Sequence, residues 1–198
     1  MSAHRMISMG FTEEAFAAGT HMCYIYANDD ERSEIVSRFV QSGLAQGEAV
    51  SYFADLPRAE DLPAHLSRLG IRISSGSPAG RFESDLAHRA YCPDGTFVPQ
   101  RMLDRVRELY LGSVRAGHSG ARVSGEMTWA LKGLPGSDRI IEYESGLNGV
   151  VRECPTTLVC QYDARHFSGA TLYDVLCVHP YMIVRGQILR NPYYRSSE

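Results

Sequence analysis

Apolar positions along the chain alternate between two rhythms. His21 to Ala27 (HMCYIYA) is an apolar and aromatic run that predicts a strand. From Asn28 the spacing changes, and Ile35, Val36, Phe39, Val40 and Leu44 recur at helical intervals. Asn28 is placed to cap that helix with Glu31 three residues on, and Gly47 closes it. The pattern continues with a strand over 49–55, a helix over 58–70 limited near its start by Pro63, a strand over 71–75 and a loop over 74–80 (SSGSPAG). Residues 81–99 are less regular, with turn signals at Pro93-Asp94-Gly95. Pro99 suits the first turn of a long helix that Gly117 ends. Met102, Leu103, Val106, Leu109, Tyr110 and Val114 mark its buried side, and Arg101, Arg105 and Arg115 read as solvated. A strand over 121–127, a helix over 137–151, a strand over 156–163, a helix over 168–179 and an edge strand or hairpin over 181–189 complete the order.

Strands alternating with helices predict an α/β fold, a mainly parallel sheet with helices on both faces. Such sheets hold ligands beyond the C-terminal ends of their strands. With 198 residues, no internal repeat and no Pro/Ser-rich linker, the chain reads as one domain. A content of 44% hydrophobic and 22% charged residues is that of a globular chain and argues against disorder. The net charge of −3 offers no general basic field, so neither nucleic acid nor an anionic membrane is expected as a partner. No apolar run approaches the length of a bilayer span, and the first residues lack a basic segment followed by an apolar one. Five cysteines, an odd number set in apolar segments, suit reduced buried thiols. These features together predict a cytoplasmic protein.

After the first strand, a nucleotide-binding α/β protein places a glycine-rich phosphate cradle ending in Lys and Ser/Thr. Here the chain reads Ala27-Asn28-Asp29-Asp30-Glu31-Arg32: three consecutive acids repel a triphosphate and no glycine permits close backbone approach. The single lysine, Lys132, lies far from this turn, so phosphoryl transfer of the P-loop kind is excluded.

Several polar positions remain as candidates. Alternation puts His21 and Cys23 on one strand face, and Cys177 with His179 forms a second His/Cys pair, although a helix there does not align the two. Four such donors fit a metal site in number but not in any common zinc spacing, and buried thiols are the commoner outcome. A ligand-contacting or redox-sensing role for His21 and Cys23 stays open. Arg122, Ser124 and Glu126 alternate along one strand and read either as a structural Arg–Glu bridge or as a pocket wall, with Trp129 lining that pocket or merely packing. Ile140, Tyr143 and Leu147 form a core stripe, beside which Glu144 and Asn148 share a face. That pair reads as exposed, unless Glu144 meets Arg122. Gln161 and Asp163 share one face of their strand, Cys160 and Tyr162 the other, and Gln161 is the better hydrogen-bonding candidate. No nucleophile, base and orienter assemble in the sequence, so no catalytic residue and no cofactor are assigned.

Seven ordered blocks together resemble the MEDS family, the methanogen/methylotroph, DcmR-type sensory domain. They are GTHMCYIYANDDER (19–32), GLAQGEAVSYFAD (43–55), GTFVPQRML (95–103), ARVSGEMTWAL (121–131), IIEYESGLN (140–148), LVCQYD (158–163) and HPYMIVRGQILRNPYY (179–194). The resemblance divides the chain into an N-terminal segment (1–18), a sensory domain (19–194) and a short tail (195–198). It implies a RecA/KaiC-like three-layer sandwich without the phosphate-binding loop. It also implies sensing of small molecules, hydrocarbon derivatives among them, through a histidine and a cysteine. By position these are His21 and Cys23, with Glu126, Glu144, Gln161 and His179 as further motif residues. Related proteins often fuse this domain to a DNA-binding helix-turn-helix, a PAS module or a histidine kinase. A chain of 198 residues leaves no room for these, so a regulatory protein partner in trans, or self-association as a homodimer, is expected to carry the signal.

Three readings follow. A small-molecule sensory module has a pocket lined by His21, Cys23, Arg122, Glu126 and Trp129. A metal- or redox-dependent enzyme is built on His21, Cys23, Glu126 and His179. A ligand-free interaction protein works as an anti-sigma or kinase-partner module. The first is preferred.

Overall fold

A strand rich in aromatic and β-branched residues is stable only with both faces covered, and this chain supplies the cover by returning over the sheet after nearly every strand. The computed structural model describes residues 5–71 and 81–196. Strand β1 (Met6–Ser8) pairs antiparallel with β2 (Ala15–Ala17) as a small separate hairpin. There follow β3 (His21–Tyr26), α1 (Asp29–Ala45), β4 (Ala49–Ala54), α2 (Leu62–Arg68), β5 (Arg81–Leu86), α3 (Ala87–Tyr91) and α4 (Pro99–Arg115). The chain ends with β6 (Ala121–Glu126), α5 (Ile140–Glu153), β7 (Thr157–Asp163), α6 (Gly169–Val178), β8 (Tyr181–Val184) and β9 (Gln187–Arg190). The main sheet has the order β5-β4-β6-β7-β3-β8-β9, parallel throughout except for the terminal β8–β9 hairpin.

The α/β class and the parallel sheet covered on both faces are as the periodicity predicts. On one face α1 lays Ile35 and Phe39 against Met22, Tyr24 and Val159, while Val36 and Val40 meet Val50, Tyr52 and α2's Leu66. On the other, α3 to α6 enclose the larger core, in which Cys23, Phe53, Val123 and Leu158 of the sheet meet Met102, Tyr143, Leu147 and Val175. No helix of the described residues is long and apolar enough to cross a membrane.

Local expectations meet mixed outcomes. Asn28 caps α1, its side-chain oxygen accepting from the N–H groups of Asp30 and Glu31 at 2.9 Å. The strand expected over 71–75 lies, apart from buried Ile71, outside the described residues, as does the loop over 74–80. Residues 81–91, read as irregular, instead form the edge strand β5 and the short helix α3. On α4, Val114 is exposed rather than buried, and Arg105 is half-buried, donating to the Ala90 carbonyl at 3.1 Å and lying over the Phe53 ring.

The β8–β9 turn is formed by Arg185 and Gly186 alone, both at positive φ (48° and 72°). That is the backbone of a two-residue type I′ turn, which suits the right-handed twist of the strands but strains an arginine in its first position. Arg185→Asn, giving the favoured Asn-Gly pair, should raise the thermal midpoint by roughly 1–3 °C. An unchanged or lower midpoint in differential scanning calorimetry would remove strain at this turn from consideration.

Candidate functional site

The polar residues singled out from the sequence do not share one pocket. They divide between the two faces and the two ends of the sheet, and the division follows strand alternation.

On the face covered by α5 and α6, four donors converge. His21 opens β3, Glu144 projects from the second turn of α5, Cys160 lies mid-strand in β7, and His179 follows α6. One ligand-type atom from each lies within 4.8 Å of all the others, and all four residues are buried. Glu144 Oε2 is the hub: His21 Nε2 and His179 Nε2 each lie 3.2 Å from it, and Cys160 Sγ donates to it at 3.3 Å. Cys160 Sγ is 3.6 Å from His21 Nε2. The other carboxylate oxygen, Oε1, accepts from the Tyr162 hydroxyl at 2.6 Å. Burial pushes the His21 imidazole below its ordinary pKa, and the His179 ring beside it adds to the effect. Burial pushes Glu144 the opposite way, but the two histidines outweigh it and hold the carboxyl well below the usual glutamate range. Burial, with Glu144 adjacent, keeps Cys160 a protonated thiol. The exposed reading of Glu144 is thereby corrected: it is fully buried, and Asn148 accepts from the same histidine. Glu144 does not meet Arg122, which lies on the opposite face.

On the α1 face, at the C-terminal end of β6, Glu126 is the centre of a second network. Its Oε1 takes Arg32 Nη2 at 2.6 Å, His65 Nε2 at 2.6 Å and the Tyr52 hydroxyl at 2.5 Å, while Oε2 accepts the Asp55 N–H at 3.0 Å. Gln161 accepts from Arg32 Nε at 2.8 Å and donates to Ser124 Oγ at 2.8 Å. Burial raises the Glu126 pKa, but the hydrogen bond to His65, the Arg32 guanidinium and the Tyr52 hydroxyl outweigh it and hold it down to about 2.

Arg122 lies at the other end of β6. It pairs with Glu48 and donates to the Phe39 carbonyl at 3.2 Å and the Ser8 carbonyl at 2.7 Å. The Arg122–Glu126 bridge, one of the two readings open from the sequence, does not form; each residue has its own partners, since four residues of extended strand hold the two side chains apart. Trp129 is buried in an aromatic cluster, stacked on Tyr91 at 4.8 Å and tilted against Phe97 at 4.9 Å. Cys177 is half-buried and does not join the His179 cluster.

Cys23 faces a groove of about 190 Å³ at the C-terminal end of β3, between that strand, α6 and the β8–β9 hairpin. Ile25, Leu176, Met182, Ile183 and Val184 make its apolar wall, with Glu31 and Arg185 beside them. Burial pushes the Cys23 thiol up to about 12, so at neutral pH it is a small hydrophobe and not a thiolate. At the turn where a phosphate cradle would stand, Arg165 bridges Asp29 and Asp163 at 2.8 and 2.6 Å, and the acidic first turn of α1 faces outward.

The sequence reading missed Cys160, Tyr162, Arg32, Tyr52 and His65. For the first two a signal was present, because alternation from Leu158 puts Cys160 and Tyr162 on the same side as His21 and Cys23 across the β3–β7 pair. The others lacked one, since their partner Glu126 is between 61 and 94 residues away in sequence.

Comparison with known proteins agrees with this architecture. The model of the family described as MEDS, MEthanogen/methylotroph, DcmR Sensory domain, matches residues 20–180. The transcriptional repressor DcmR of Methylorubrum extorquens is 25% identical over 160 residues, 80% of this chain, and the chain spans 57% of that repressor's length. Among solved structures, a KaiC-like protein of Pyrococcus horikoshii OT3 superposes with a TM-score of 0.60 at 16% identity, covering 90% of this chain and 79% of that one. The flagellar accessory protein FlaH of Methanocaldococcus jannaschii gives 0.53 at 12% identity, covering 86% and 75%. At such identities the two structures speak for the fold alone, an α/β unit with a mostly parallel sheet.

Proposed function

The chain belongs to the MEDS family of sensory domains, and from that premise we propose that it is a non-enzymatic module that binds a small, largely apolar molecule and relays its occupancy to a regulatory partner. The observation that carries the reading is the groove at the end of β3. It stands at the ligand-binding edge of a parallel sheet, its walls are aliphatic, and its size suits a molecule of a few heavy atoms. The neighbouring turn carries acids and an arginine clamp in place of a phosphate cradle, which favours a hydrocarbon derivative over a nucleotide. The β8–β9 hairpin forms one wall of the groove and also the edge of the sheet, where Val184, Leu189 and Tyr193 are exposed. A ligand that shifts this hairpin changes the surface that a regulator, or a second copy of the chain, would read. The kinship with a transcriptional repressor supports transcription as the process regulated.

The test is a titration of the full chain, labelled at methionine methyls, with C1–C6 alcohols, amines and alkyl halides. Saturable movement of the Met182 signal with at least one class is expected, lost in Ile25→Trp, whose indole fills the groove. A Met182 signal indifferent to the whole panel, or magnesium-dependent ATP hydrolysis by the purified chain, would overturn the reading.

A further inference from the structure

The groove leaves the four buried donors, set around the other end of β3, without a task. Their hydrogen-bonding directions define what they can hold. His179 Nδ1–H donates to the Val175 carbonyl at 2.7 Å, which leaves Nε2 as a bare lone pair aimed into the cluster. That nitrogen is fully buried and makes no hydrogen bond among the described residues; it lies 3.2 Å from Glu144 Oε2, off the hydrogen-bonding direction. His21 differs in that its Nε2 lies in hydrogen-bonding geometry with Glu144 Oε2 at 3.2 Å. Its Nδ1 meets Asn148 Oδ1 at 3.1 Å, and the Asn148 amide is itself fixed because its NH₂ donates to the Val178 carbonyl at 2.8 Å. A neutral His21 ring has one N–H for two acceptors, Asn148 Oδ1 and Glu144 Oε2, so one of these oxygens meets a ring lone pair. Tyr162 aims the carboxylate by holding Oε1, so that Oε2 faces both rings. The bare His179 Nε2, the Glu144 Oε2 atom and a His21 ring with too few N–H groups for its two acceptors thus meet in one buried space. Such an arrangement repels itself unless a cation sits among the donors.

We propose that His21, Glu144, Cys160 and His179 form a closed binding site for a zinc-class divalent metal ion. Four of the six donor separations agree with tetrahedral coordination. Bonds of about 2.0–2.3 Å to nitrogen, oxygen and sulfur place the donors at the corners of a tetrahedron with edges of roughly 3.3–3.7 Å. Among the observed separations, each N···O pair is 3.2 Å, S···O is 3.3 Å and Cys160 Sγ to His21 Nε2 is 3.6 Å, while the two remaining pairs lie within 4.8 Å. The donor set is two neutral imidazoles, a carboxylate and a thiol. Binding releases the thiol proton to solvent, and the thiolate and carboxylate then balance the two positive charges, so no net charge is buried. Three of the four ligands are oriented by a neighbour, as metal ligands characteristically are: His21 by Asn148, His179 by the Val175 carbonyl and Glu144 by Tyr162. Four protein donors leave no open position, which makes the site structural and not hydrolytic. It ties β3, α5, β7 and the α6–β8 junction together at one point, independently of what occupies the groove.

Cobalt(II) reports this directly, because a thiolate ligand gives a near-ultraviolet charge-transfer band and tetrahedral geometry gives intense visible absorption. The full chain, purified without metal-affinity steps and stripped with a chelator, should take up one equivalent of cobalt with both features, and zinc should displace it. Asn148→Ala should weaken uptake by about 10- to 100-fold, the loss typical of a supporting residue. Cys160→Ser should abolish the charge-transfer band, whereas Cys177→Ser should keep it. Should Cys160→Ser fail to fold, the wild-type spectrum decides alone, since among the described residues this is the one cluster of three or more such donors. No thiolate band in the wild-type protein, or one undiminished in folded Cys160→Ser, overturns the proposal.

Discussion

Arg122→Ala should destabilise the fold by about 3–5 kcal/mol, the cost of leaving a buried charge without its partner. Arg122 has no exposed surface, and the carboxylate it meets, Glu48, is only 1% exposed. The guanidinium also lies over the Phe39 ring at 5.0 Å and satisfies the carbonyls of Phe39 and Ser8, so it joins β6, α1 and the end of β1. Gly43 makes room for it: a Cβ there would stand 2.8 Å from Arg122 Cδ and 2.9 Å from a Val50 methyl. Truncation leaves Glu48 with half-buried Arg5 as its remaining cation. Urea unfolding followed by circular dichroism measures the loss. Adding Glu48→Leu to Arg122→Met should recover much of it, because removing both charges also removes the desolvation cost. A loss below about 1 kcal/mol for Arg122→Ala would show that water reaches Glu48 and that the pair is a surface bridge.

The second large effect is on acid stability. Glu126 titrates near 2 in the folded protein against an ordinary value of 4.5. A carboxyl depressed in this way contributes stability that is fully present above the unfolded value and is lost as pH falls through the folded one. Stability should therefore drop between about pH 4.5 and 2, with Glu126 accounting for about 3 kcal/mol of the fall. Other carboxylates titrate in the same window, so the contribution is read as a difference. The gap in unfolding free energy between the wild type and Glu126→Gln should be about 3 kcal/mol at pH 6 and should close towards pH 2. A gap that stays constant across the window would mean that Glu126 is not held ionised by Arg32 and His65.

Much of the fold was legible because long elements carry redundant signals. Helix α1 has a capping residue, an apolar stripe and a closing glycine, and each alone predicts its place. The segment 81–91 was not legible, because an edge strand needs no continuous apolar run and β5 carries only Phe82 and Leu86. Helix α3 has five residues, too few for a period to show. At the candidate sites, sequence named the residues better than their companions. His21, Glu144 and His179 were selected separately and do converge, but neither cysteine paired with a histidine in the sequence joins them. Adjacency in sequence favoured Cys23 and Cys177, whereas the parallel β3–β7 pairing brings in Cys160 from 139 residues away. Arg122 and Glu126 were linked because they share a strand face, yet a face says nothing about which end of the sheet a side chain serves.

The central strand β7 has one further property. Its consecutive residues Cys160, Gln161, Tyr162 and Asp163 commit in turn to opposite sides: to Glu144, to Arg32, to Glu144 again and to Arg165. Sliding this strand by one residue would invert all four at once, driving Gln161 and Asp163 into an apolar core and stranding the buried Glu144 carboxylate. An all-aliphatic strand between the same two neighbours would tolerate several alignments with little penalty. The alternating polar pattern makes the wrong alignments costly, so β7 acts as a ratchet that lets the sheet zip up in one frame only.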